Sequence, residues 1–141
     1  MVIIMNNIRE DKNKIQDIIQ DIGSIVTSIL PNRWYKVVMG YFVAGEEQIS
    51  HFQLHTITDT SDDYIDLVEE AWEFDESDDV LIDLQELCEE MRKICVLHND
   101  NWAMMTLTLL ADGTFNIDYD YETIVDYDSK YILKWQSKYL D

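Results

Sequence analysis

Glycine and proline are scarce in this chain, four and one in 141 residues. So few glycines leave no Gly-rich loop to cradle a phosphate, and no serine lies in a G-x-S-x-G nucleophile elbow. There are two cysteines, Cys88 and Cys95, seven residues apart. On a helix that spacing is two turns and holds their Cα atoms roughly 10 Å apart, too far for a disulfide. They read as core thiols of a reducing compartment, and C-x6-C matches no zinc pattern. No stretch of eighteen apolar residues occurs, so nothing is expected to span a membrane. The opening Met1–Met5 is too short for a signal peptide and lacks a basic flank. The expected location is the cytoplasm.

Basic residues are the scarcest class of all relative to their opposite, ten against 29 acidic ones, for a net charge of -19. The deficit is regional. Residues 1–57 hold six acids and five bases, and residues 58–141 hold 23 acids and five bases. Between Lys36 and Arg92 run 55 residues with no Lys or Arg and 17 carboxylates. Such a potential repels nucleic acid and anionic membranes and attracts basic protein surfaces. Acidity also serves plain solubility, so the charge by itself names no partner.

What the chain does have is apolar material: 47% hydrophobic residues, with four Trp, eight Tyr and four Phe. That is enough for one ordinary domain with a single core. From Ile8 to Leu30, Ile15, Ile18, Ile19, Ile22, Ile25, Val26 and Ile29 follow helical spacing up to Pro31. Trp34–Val43 is aromatic and β-branched, Ala44-Gly45-Glu46 reads as a turn, and Ile49–Ile57 alternates with period two. Residues 58–76 read as a long acidic connection containing a short helical turn. Ser77 is the expected N-cap of a second helix, with Leu81, Leu84, Leu87, Cys88, Met91, Ile94 and Cys95 as its buried stripe. Met104–Leu110 and Phe115–Tyr121 form a hairpin about Asp112-Gly113. Tyr131, Ile132, Trp135 and Tyr139 mark a short C-terminal helix. The predicted class is α+β: a four-stranded antiparallel sheet of two hairpins with two long helices and a short C-terminal one, in the order α-β-β-α-β-β-α.

Candidate chemistry is thin. Period two puts Asp118, Asp120 and Glu122 in a row on one face, with Phe115, Ile117, Tyr119 and Tyr121 on the other. Three carboxylates could hold a divalent cation, and a metal-dependent hydrolase built on them is the enzyme alternative. A metal cage needs ligands converging from several elements, so a solvated or partner-facing row is the reading adopted. His51 and His55 are four apart, the spacing of a conceivable zinc pair, but no Cys or carboxylate stands at a ligand spacing beside them, and with His98 they read as ordinary surface histidines. No metal, cofactor or catalytic residue is assigned, and the chain is expected not to be an enzyme. In Glu69-Glu-Ala-Trp-Glu-Phe-Asp75 an aromatic anchor lies among carboxylates, a composition suited to gripping a basic partner.

Pro31-Asn-Arg-Trp34, the run Asp112–Glu122, and Trp135-Gln-Ser-Lys-Tyr-Leu140 carry a resemblance. In order and spacing over nearly the whole chain, the sequence resembles the YezG-like immunity proteins, the antitoxins paired with polymorphic secreted or contact-dependent bacterial toxins. The resemblance implies an inhibitor that shields its producer by binding a toxin's C-terminal domain, usually a nuclease. The expected partner-binding residues are Asp59, Asp62, Asp63, Tyr64, Asp66, Glu69, Glu70, Trp72, Glu73, Phe74, Asp75 and Glu76 in an acidic region reaching to Glu90. Asp118, Asp120 and Glu122 form a secondary group. Tyr64, Trp72 and Phe74 stand out there because tight complexes need a packed centre and rim charges mainly change the association rate. The competing binding hypothesis is an acidic DNA mimic that inhibits a DNA-binding protein. It predicts competition with duplex DNA by many unrelated binders.

Overall fold

A computed structural model describes residues 2–71 and 78–140. The elements are α1 (Val2–Ser28), β1 (Trp34–Ala44), β2 (Ile49–Thr58), β3 (Ile65–Asp66), α2 (Leu67–Ala71), α3 (Asp78–Leu97), β4 (Met104–Leu110), β5 (Phe115–Asp120) and α4 (Ser129–Tyr139). The α+β class holds, with a correction to its count. The sheet has five strands in the order β3-β2-β1-β4-β5, not four, and the described residues form four helices rather than three. The additional elements both fall in the acidic connection. β3 is two residues long, Ile65 opposite Thr56 and Asp66 opposite His55, too short for any alternation to show in sequence. Asp66 then caps α2, its Oδ1 accepting from the N–H groups of Val68 and Glu69 at 3.0 Å each. The proposed cap Ser77 lies outside the described residues.

Every pairing in the sheet is antiparallel, and β1 and β4, the opening strands of the two hairpins, meet at its centre. Both hairpin turns use a glycine at positive φ, Gly45 at 77° and Gly113 at 91°, where a side chain would be strained. β1 is buried on both faces from Val37 onward, which explains its near-continuous apolar run. Val37, Met39, Tyr41 and Val43 join Leu54, Met105, Leu107 and Trp102 under α1 and α3. Val38, Phe42 and Ala44 face the other way, against Met104, Ile124 and Trp135. The protein is therefore three layers: two long helices, the sheet, and the C-terminal segment with α4.

α4 starts at Asp128, whose carboxylate accepts from the Tyr131 N–H at 2.9 Å. Its one buried residue is Trp135, which packs against Gly40 and donates Nε1–H to Thr106 Oγ1 at 2.9 Å. No helix among the described residues is long and apolar enough to cross a membrane.

Candidate functional site

The acidic connection wraps one edge of the sheet. Asp59 is tied to Arg33 by a 2.9 Å ion pair and by its N–H to the Arg33 carbonyl at 3.0 Å. Asp62 and Asp63 are exposed in the turn that follows. Tyr64 is half-buried against the α4-side core, with Lys36 Nζ 5.8 Å from its ring centre. Asp66 is occupied in capping α2, and Glu69 and Glu70 project from the first turn of that helix. Trp72, Glu73, Phe74, Asp75 and Glu76 lie outside the described residues.

Asp118, Asp120 and Glu122 lie at the opposite edge, on β5 and just beyond it. The strand ends at Asp120, whose Oδ1 accepts from the Glu122 N–H at 2.9 Å. The expected row is therefore two strand residues plus one carried round a turn. Asp118 accepts from Asn116 Nδ2 at 3.1 Å. Asp120, Glu122 and Asp126 line a cleft of about 360 Å³ against α4, faced by Lys134 and Lys138. Burial, with the nearby Asp120 and Glu122 charges adding to it, pushes the Tyr131 phenol up to about 12. Among the described residues, no three His, Cys, Asp or Glu side chains gather as a metal site would require. The two acidic groups are separated by the width of the sheet, four strand spacings or about 19 Å.

Two of the three histidines, His51 and His55, require a correction, while His98 is exposed as expected. His55 is buried at 4% exposure, its Nε2 2.6 Å from Gln53 Oε1, while Gln53 Nε2 donates to the Tyr127 hydroxyl at 2.9 Å. His51 stacks on Tyr127 with ring centres 4.1 Å apart. Burial lowers the pKa of both imidazoles; for His55 the charge of Asp66 works in the opposite direction. His98 lies against Asp11, Nε2 to Oδ2 2.7 Å. His51, Gln53 and His55 alternate with Phe52 and Leu54, so the strand reads as polar-out; the C-terminal segment covers that polar face, and nothing in β2 signals it. The cysteines are free and buried as expected, and burial pushes the Cys88 thiol up to about 12, which makes it a poor nucleophile.

Among the described residues, the carboxylates of the acidic connection and of β5 thus lie at two opposite edges of the sheet. The family model described as Immunity protein YezG-like matches residues 15–141. This chain belongs to the YezG-like immunity proteins. It is similar to Immunity protein YezG of Bacillus spizizenii (strain ATCC 23059 / NRRL B-14472 / W23), 29% identical over 118 residues, covering 82% of this chain and 73% of the relative. It is also similar to Immunity protein YezG of Bacillus subtilis (strain 168), 31% identical over 115 residues, covering 78% and 75%. The match takes in the whole sheet, α3 and α4, and so both acidic edges of this YezG-like protein.

Proposed function

We propose that this immunity protein neutralises the C-terminal domain of a cognate secreted or contact-dependent toxin, that this domain is a nuclease with a basic surface, and that it is bound in the cytoplasm of the producing cell. The observation that carries the reading is the regional charge: 17 carboxylates and no base between Lys36 and Arg92, on a chain of net charge -19. A nuclease must present Lys and Arg to phosphates, so a carboxylate-rich surface complements the place where its substrate sits. Asp59, Asp62, Asp63, Asp66, Glu69 and Glu70 at one edge, with Asp118, Asp120 and Glu122 at the other, supply long-range attraction. Trp72, Glu73, Phe74, Asp75 and Glu76 belong to the same acidic stretch. Steering of this kind raises association from about 10⁵–10⁶ M⁻¹s⁻¹ toward about 10⁸–10⁹ M⁻¹s⁻¹ at low salt, and a protector must act before its target does. The protein acts here by occupying a surface, with no catalytic step of its own.

Co-expression with the toxin encoded beside it restores growth, and the two co-purify. Association slows steeply as ionic strength rises. Absence of both rescue and co-purification refutes the function. Capture of many unrelated DNA-binding proteins, with release by duplex DNA, replaces it with the DNA-mimic reading.

A further inference from the structure

The helical face of the sheet is incompletely covered. α1 leaves a groove of about 760 Å³ beside the β4–β5 hairpin, walled by Ile19, Gly23 and Thr27 on one side and by Leu107, Leu109 and Phe115 on the other. Phe115 is 57% exposed, a large aromatic ring left in water on the last strand of the sheet. Alternate backbone groups of that strand face outward with no strand partner among the described residues, a ready template for an extended segment. On the other flank of α1 a second groove, of about 370 Å³, separates it from α3; Asp21, Asp83 and Glu86 line it over Ile25 and Leu87. Ser24 borders both grooves, so they form one surface divided by the α1 ridge. Glu90 on the acidic side is paired with Lys14 at 3.1 Å, whereas Asp21, Asp83 and Glu86 have no ion pair among the described residues.

Gly23 adds an independent observation. It lies well inside the 27-residue α1, where glycine is a poor helix former, yet a Cβ placed on it meets nothing within 4 Å. Internal packing does not require it. Its missing side chain keeps the apolar groove open.

We propose that these paired grooves dock the toxin domain, through a basic segment that sets an apolar side chain between α1 and β5 and its Lys or Arg groups against Asp21, Asp83 and Glu86. The proposal rests on the neutralising function above and supplies the packed centre that the steering charges at the sheet edges lack. Charge complementarity selects this occupant. A second copy of the chain would bring its own carboxylates to the same surface in a two-fold pair, and like charges across an interface oppose it.

The test uses the C-terminal domain of the toxin encoded beside this protein, purified with its catalytic residues inactivated. Gly23→Gln fills the groove from a solvent-facing position and favours helix, so its thermal midpoint equals or exceeds that of the unsubstituted protein while affinity for the toxin domain drops at least tenfold through faster dissociation. Asp83→Lys with Glu86→Lys slows association several-fold and flattens its salt dependence. Leu133→Ala, on the outer face of α4, leaves both rates unchanged. If the unsubstituted protein does not bind the domain, the function itself is refuted. If it binds and the Gly23 and charge-reversal variants bind equally well, only the docking surface is refuted. Concentration-dependent dimerisation that Gly23→Gln abolishes makes the grooves a self-interface and likewise overturns the proposal.

Discussion

Replacing Gly40 by alanine tests how the third layer is held. Gly40 lies in the middle of β1 with no positive φ, so alanine is conformationally acceptable there and only space is at issue. A Cβ at this position stands 2.7 Å from Trp135 Cζ2 and 2.7 Å from Phe42 Cζ, where ordinary contact begins near 3.4 Å. β1 cannot retreat, because it is hydrogen-bonded to β2 on one side and β4 on the other. The strain therefore falls on Phe42 and on α4, which is fixed by the Trp135–Thr106 hydrogen bond and the Asp128 cap. Overpacking of this kind costs about 1–3 kcal/mol, partly offset by about 0.4–1 kcal/mol from the stiffer unfolded chain. The net expectation is a loss of about 1–2 kcal/mol, read as a lower urea midpoint with unchanged slope. Trp135→Phe removes the Cζ2 atom, so its cost in the Gly40→Ala background is smaller than in the parent by more than about 0.5 kcal/mol. A Gly40→Ala protein as stable as the parent, or strictly additive effects in the cycle, would falsify the tight-contact account.

Stability should also depend on pH through His55, whose folded pKa is depressed by burial below its ordinary 6.5. The unfolded chain then binds the proton first, so stability is intact above about pH 6.5 and falls as pH drops toward the folded value. His51 contributes with the same sign, and His55→Gln makes urea midpoints between pH 7.5 and 5.5 less steep. Neither Cys88 nor Cys95 reacts with a thiol reagent in the native protein, and both react at the rate of global opening; fast native labelling of Cys88 contradicts its burial. Asp128→Ala removes the α4 cap and costs about 1 kcal/mol, with increased amide exchange confined to α4. Uniform loss of protection across β1 and β4 contradicts that local role.

Much of the fold is legible in the chain because its signals are local. The isoleucine stripe of α1, the leucine stripe of α3 and the two glycine turns each depend on residues a few positions apart, and the structure places these elements where the pattern does. β3 escapes because two residues carry no period, and α1 begins at Val2, ahead of the apolar stripe by which the helix is recognised. The candidate site was legible in its charge and not in its layout. Asp59–Glu70 and Asp118–Glu122 look like parts of one acidic half in sequence, yet strand order sends them to opposite edges. Tyr64 pairs with the core beside Lys36, and the grooves flanking α1 have no sequence signature, since their walls come from residues roughly 60 to 100 positions apart.

By itself the sequence determined the long helices, the two hairpins, two unpaired core thiols and an acidic surplus confined to the later part of the chain. It also determined the family, through the Asp112–Glu122 run and the C-terminal Trp135–Leu140. Only the tertiary structure decided that β2 turns His51 and His55 into a covered layer, that Gly40 is a seat for Trp135, and that α1 stands away from β5. Those outcomes follow from which faces remain after β1 and β4 pair at the centre of the sheet, a competition among the packing of all the elements that no short window of residues contains.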